Sequence, residues 1–208
     1  MYGIINFEVF LLTGILMNLI PGADTMYIVG RSISQGTRAG IYSVFGIITG
    51  SLVHTLFVAC GLSIILTKSI VLFNTIKIIG VIYLVYLGIK MILDKSNIGF
   101  EASSNKLNLR KIYIQGLLTS LTNPKVSLFF LALLPQFVNP SNGHVGLQML
   151  ILGIVFLVQA LILFSLISIF ASKVRKVIIG KPAIAKRLNM VQGVLFTFIG
   201  IQIALSKQ

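Results

Sequence analysis

Apolar residues along this chain come in long runs, and polar residues collect in the short breaks between them. Roughly 20 apolar residues cross about 30 Å of hydrocarbon. Six runs reach that length, at about 7–29, 41–66, 70–93, 112–138, 145–171 and 188–206. Only Thr67-Lys68-Ser69 separates the second run from the third, which predicts a tight hairpin. The one polar stretch of real length is DKSNIGFEASSNKLN, 94–108, and it divides the runs three and three. The pattern predicts an all-α integral membrane protein of six transmembrane helices. Residues 1–93 form a first three-helix unit, 94–111 a cytoplasmic linker, and 112–208 a second unit.

Two of the runs carry interruptions. The first contains NLIPGADTMYIVG, 18–30, where Pro21 and Gly22 break the helix and the carboxylate Asp24 follows. The fourth contains SLTNPKVSLFFLALLP, 120–135, broken at Pro124. Placing Pro21 on Pro124 brings the two neighbourhoods into register, each with an asparagine nearby, Asn18 and Asn123. Placing Gly88 on Gly200 does the same for YLVYLGIKMIL and FTFIGIQIAL. Two matches in the same order predict an internal duplication. Three is odd, so the second copy enters the membrane from the opposite side. The expected architecture is therefore two inverted three-helix repeats with broken helices 1 and 4, and such folds bind substrate where the interrupted helices face each other. Backbone groups freed at a break are tolerated only beside protein or a water-filled cavity.

Charge sets the orientation. Thirteen basic residues lie in or beside the first, third and fifth connections, from Arg31 and Arg38 through Lys111 to Lys186 and Arg187, against Lys68 and Lys207 on the other side. The positive-inside rule then makes the odd-numbered connections cytoplasmic and places both termini outside. This distribution accounts for the net charge of +13 through topology and contact with anionic lipid. It leaves no folded basic face interleaved with aromatics for nucleic acid. Composition agrees: 56% of residues are hydrophobic and only 10% charged, where a soluble domain has about a quarter charged. The N-terminal MYGIINFEVFLL lacks a basic region and a cleavage site, and reads as the start of the first span. Cys60 stands alone, so no disulfide or dithiol chemistry is expected. His54 and His144 lack metal-ligand spacing, and no metal or cofactor is expected.

An ionisable group near the bilayer centre costs roughly 2.5–3.5 kcal/mol, so each one calls for a partner. Asp24 is the only carboxylate well inside a span. It reads as a counter-ion for a substrate ammonium, as a proton carrier, or as a local cap on the helix that resumes after Pro21-Gly22. Lys125 takes the place of Gly22 in the duplication and becomes a near neighbour of Asp24 if the breaks meet. It could then hold a substrate carboxylate, or it could snorkel to an interface. His54 either joins a proton relay or bonds a neighbouring helix. Lys77 reads as snorkelling. Candidate substrate-binding residues are thus Asn18, Pro21, Gly22, Asp24, Asn123, Pro124 and Lys125, and candidate proton-coupling residues are Asp24 and His54. Gly46 and Gly50 form a small-xxx-small pair that lets helices approach within the chain. Tyr83 and Tyr86 read as packing or interfacial anchors, and no oligomeric state follows from any of these residues.

PGADTMYIVGRSISQGTRAGIYSVFGIITG, 21–50, and LTNPKVSLFFLALLPQFV, 121–138, resemble the lysine exporter (LysE/RhtB) family of amino-acid exporters, with weaker support from YLVYLGIK, 83–90. With the size and six spans, the resemblance covers essentially the whole chain. Ala23 departs from the second proline that the family more often shows, which bears on the geometry of the first break. The resemblance implies a plasma-membrane exporter of amino acids or close derivatives, driven by the proton gradient.

Other classes fare worse on the residues. A transmembrane redox protein needs a dithiol. An intramembrane aspartyl protease needs two facing aspartates, a zinc protease HExxH, and a serine hydrolase usually GxSxG; none occurs. The remaining alternative is a passive channel for small polar solutes, which would show flux without proton coupling.

Overall fold

The computed structural model describes residues 3–20, 22–62 and 107–173, together with Val71, Thr75, Ile78, Ile82, Tyr86 and Ile89. The 67–69 hairpin, most of the third expected span with Lys77 and Tyr83, the linker to residue 106 and the sixth expected span lie outside the described residues. So does Pro21.

Helices α1 (Phe7–Leu19) and α2 (Ala23–Gln35) make one bent pair. Helix α3 (Thr37–Phe57) runs on through a π turn at Val58–Leu62. Helices α4 (Leu109–Leu121) and α5 (Pro124–Leu128) make a second bent pair, which continues through a π turn and a 3-10 turn to Phe137. Helix α6 (Val145–Lys173) is long and unbroken. Helices α3 and α6 are each long and apolar enough to cross a membrane, and each bent pair meets the same test as a unit. The described residues thus contain two to four candidate spans. The first, second, fourth and fifth expected runs find helices among the described residues, and α2 continues to Gln35, past the expected end of the first run near residue 29.

Both bends follow from proline. The residue before a proline is driven out of the α region. Ile20 accordingly lies at φ −60°, ψ 117°, and Asn123 at φ −76°, ψ 108°. Pro124 then opens α5 at its first position, where a missing N–H costs nothing. The axes bend by 50° in the first pair and 47° in the second.

Helices with apolar residues on both faces belong in lipid. Helix α6 turns Leu152, Phe156 and Phe164 inward, while Ile154, Val158, Ile162, Leu166 and Phe170 stay exposed. Of the third expected span, the six described residues are helical and exposed. The apolar exterior makes this a membrane protein.

Inside, small residues allow close packing. A Cβ at Gly46 would lie 2.2 Å from the Tyr113 carbonyl oxygen, and one at Gly50 2.7 Å from Ser120 Cβ. The small-xxx-small pair therefore seats α3 against α4 of the same chain, as expected. Polar side chains bridge the helices: Tyr113 donates to Thr49 Oγ1 at 2.9 Å, and Ser32 to Ser168 Oγ at 3.0 Å.

The basic ends gather at one end of the bundle. Arg31 bonds Gln115, one turn from Lys111, and Thr37 bonds Ser172 beside Lys173. At the other end Ile5 donates to the Phe137 carbonyl and Asn139 to that of Gly3. The segments that the charge pattern assigns to one side of the membrane are thus neighbours in the fold.

Candidate functional site

The two breaks face each other across the bundle. Helix α1 ends at Leu19, which leaves the Ile20 carbonyl without a place in a helical ladder. Lys125, the second residue of α5, reaches across and donates from Nζ to that oxygen at 2.6 Å. In the other direction, Asn123 donates from Nδ2 to Asp24 Oδ1 at 2.9 Å. Its own Oδ1 accepts the Lys125 backbone N–H at 3.1 Å, capping α5. Each break thus supplies a partner to the other.

Two of the alternatives raised by the sequence fail here. Asp24 is not the cap of α2: that position is Gly22, and Asp24 lies in the first turn, where the helix dipole favours a negative charge. Lys125 does not snorkel, being 8% exposed. It also sits at a helix N-terminus, the end at which a cation is disfavoured. Asp24, Asn123 and Asn18 are 4%, 3% and 2% exposed. A lysine and an aspartate in such places are expensive, and nothing in the packing alone asks for either.

Asn18, Asp24 and Lys125 line one cavity with Ser51 and five apolar residues, Met17, Val126, Phe129, Phe156 and Phe164. It offers about 10 Å³ to the centre of a water-sized sphere, room for about one water. The cavity lies between two apolar clusters. The larger holds Phe10, Met17, Phe129, Phe137 and Phe156, and the smaller Ile28, Val44, Ile47, Ala160 and Phe164. Its polar complement is incomplete. Among the described residues Asn18 Nδ2 is buried with no hydrogen-bond partner; Thr25 Oγ1, next to Asp24 in the chain but not lining the cavity, has none either.

The other candidates are placed differently. Gly22 and Pro124 shape the breaks, and Pro21 lies outside the described residues. His54 is half-buried and does not line the cavity. Its Nε2 lies 3.3 Å from the Ser120 carbonyl, and its ring stacks on Phe130 with centroids 6.0 Å apart. Ser120 in turn bonds Ser51, a cavity residue, at 3.1 Å. Among the described residues no cluster of histidine, cysteine or carboxylate side chains could hold a metal ion.

The two helix breaks thus bring one buried lysine and one buried carboxylate to a single cavity. Residues 15–207 match the family model described as LysE type translocator. The chain belongs to the LysE family of translocators. An uncharacterized membrane protein, YrhP, of Bacillus subtilis is 32% identical over 92% of this chain and 94% of its own length. An uncharacterized membrane protein of Vibrio cholerae is 32% identical over 95% of this chain and 96% of its own. A leucine efflux protein of Salmonella choleraesuis is 27% identical over 98% and 96%. No solved structure matches the chain.

Sequence reasoning missed several features of the cavity and the helix contacts around it in this LysE-family chain. The Ile20 carbonyl has no side-chain signal, and only the proline after it hints that it is free. Met17, Val126, Phe129, Phe156 and Phe164 looked like any lipid-facing residue, because their helices are apolar all round. Arg31 counted only as a topology charge. In the structure its guanidinium bonds Gln115 Oε1 at 2.6 Å and Gln35 Oε1 at 2.9 Å and lies over the Tyr27 ring, joining α2 to α4.

Proposed function

We propose that the protein exports amino acids or close derivatives across the plasma membrane, in exchange for protons, by alternating access. The observation that carries this reading is the crossed pair of bonds at the breaks, Lys125 to Ile20 and Asn123 to Asp24, beside a small cavity. Each bond is one that an amino acid can replace. Its carboxylate takes Lys125 from the Ile20 carbonyl, with Asn18 Nδ2 as a second donor. Its ammonium takes Asp24 from Asn123. The same exchange loosens the tie between the two bent pairs, so binding and opening are one event.

Coupling follows from a single carboxylate. Asp24 can hold a substrate ammonium or a proton, not both at full strength. A proton arriving from outside displaces the ammonium, neutralises Asp24 for the return step and leaves on the inner side. His54, one residue removed from the cavity through Ser120 and Ser51, is the candidate relay.

Inverted repeats, six spans and termini outside complete the proposal, with units at 1–93 and 112–208 and a cytoplasmic linker at 94–111. The similar bends of 50° and 47° and the matching pre-proline conformations support the repeat. The gathering of the basic ends supports the orientation. The leucine efflux relative supports amino-acid export. A cavity with room for about one water supports a carrier over a continuously open channel.

The test is efflux from cells preloaded with a panel of amino acids, for wild type and Asp24→Asn at matched membrane expression. Export of at least one amino acid that both the variant and a protonophore abolish is the expected result. Undiminished, protonophore-insensitive flux through both proteins would instead indicate a passive channel.

A further inference from the structure

We propose that the substrate is a neutral amino acid with a bulky apolar side chain, of the leucine, methionine or phenylalanine class. This rests on the exporter reading above and concerns the same cavity.

Charge comes first. Among the described residues the cavity presents one carboxylate, Asp24, and one ammonium, Lys125. Elsewhere in the six apolar runs the sequence contains no carboxylate except Glu8, which is exposed at the start of α1. A zwitterionic backbone uses both charges. A lysine or arginine substrate would bring a second cation with no carboxylate to meet it, and an unpaired buried charge is strongly penalised. Aspartate or glutamate would bring two carboxylates to Lys125.

Hydrogen bonding narrows the class further. Among the described residues that line the cavity, the one buried donor without a partner is Asn18 Nδ2, which suits the second oxygen of a backbone carboxylate. Ser51 is already engaged with Ser120. The polar groups are thus taken up by the part common to all amino acids, and Met17, Val126, Phe129, Phe156 and Phe164 face the side chain.

Packing makes the same demand. Phe129 and Phe156, both lining the cavity, stack with centroids 4.1 Å apart. An entering side chain must replace the contacts it breaks between these rings. An apolar side chain does so with contacts of the same kind, whereas a hydroxyl or amide would be buried there without a partner.

The experiment is uptake into proteoliposomes carrying the full chain, with labelled leucine, alanine, lysine and glutamate assayed separately. One missing methylene in an apolar pocket costs about tenfold or more, so leucine should exceed alanine by at least about tenfold. Lysine and glutamate should fall more than about a hundredfold below leucine. Lysine, glutamate or alanine transport equal to that of leucine would overturn the substrate class while leaving the exporter reading intact. No transport of any amino acid would overturn both. Val126→Phe supplies a second readout, because narrowing the pocket should move the leucine-to-alanine ratio toward alanine by about tenfold. That ratio does not depend on how much of the variant folds, and an unchanged ratio would overturn the proposal.

Discussion

Asn123 donates from its side-chain amide to Asp24, a residue 99 positions away in the chain, at 2.9 Å, and so joins the two helix breaks. The same side chain caps α5 through its other atom. One residue therefore fixes both the start of a half-helix and the position of the buried carboxylate opposite. Asn123→Ala should lose the cap, worth about 1 kcal/mol, and leave Asp24 short of a donor, at about another 1–3 kcal/mol. Thermal unfolding in detergent should fall accordingly, and efflux should drop more than tenfold. Asn123→Asp keeps the cap but sets carboxylate against carboxylate, so it should lose transport to a similar extent.

Lys125 and Asp24 test each other. Removing one member of a buried charge pair costs about 3–5 kcal/mol, because the survivor is left unpaired, while replacing both is far milder. Lys125→Met and Asp24→Asn should each lower the unfolding temperature. The double variant should regain most of that stability and none of the transport. A double variant no more stable than the singles would mean that the two charges do not compensate each other.

The prolines were legible, and so was their consequence. Pro21 and Pro124 marked both bends, and setting one on the other predicts Asp24 and Lys125 as neighbours if the breaks meet. What those residues bond was not legible. Lys125 uses a backbone carbonyl, which every residue carries, so no side chain announces the partner. Asp24 takes Asn123, an amide that could as well have served a substrate or the freed backbone. The end of α2 was misplaced because hydropathy falls at Arg31 while the helix continues, held by Tyr27 and Arg31 against α4. A hydropathy window reports lipid, and these residues are kept helical by protein.

Close approach of α3 to α4 rests on glycine. Gly46→Leu and Gly50→Leu force side chains into the Tyr113 carbonyl and Ser120, and overpacking of this kind costs about 1–3 kcal/mol. Each should reduce the yield of folded protein and lower its unfolding temperature. Gly61→Ala meets nothing within 4 Å among the described residues and should leave stability within about 0.5 kcal/mol of wild type. Parallel unfolding curves for the three variants check this contrast.

Alternating access predicts that Ser51 is shielded until the cavity opens. Cys60, the one native cysteine, is exposed, so the measurement begins from a Cys60→Ser background. With Ser51→Cys added, a small water-soluble thiol reagent should react slowly in the absence of substrate. Reaction should accelerate at least tenfold during active transport of leucine. A fast, substrate-independent rate would indicate a permanently hydrated pore.

The most direct test of the crossed-break site is equilibrium binding of labelled leucine to the purified full chain in detergent. Wild type, Asp24→Asn and Lys125→Met are compared per unit of folded protein. Binding is separate from the transport cycle, so a variant that merely stalls the cycle would still bind. The account predicts saturable binding to wild type, a loss of at least tenfold in affinity for each variant, and weak binding of leucine amide and N-acetyl-leucine, each of which lacks one backbone charge. Wild-type affinity in both variants would contradict it and move the substrate away from Asp24 and Lys125.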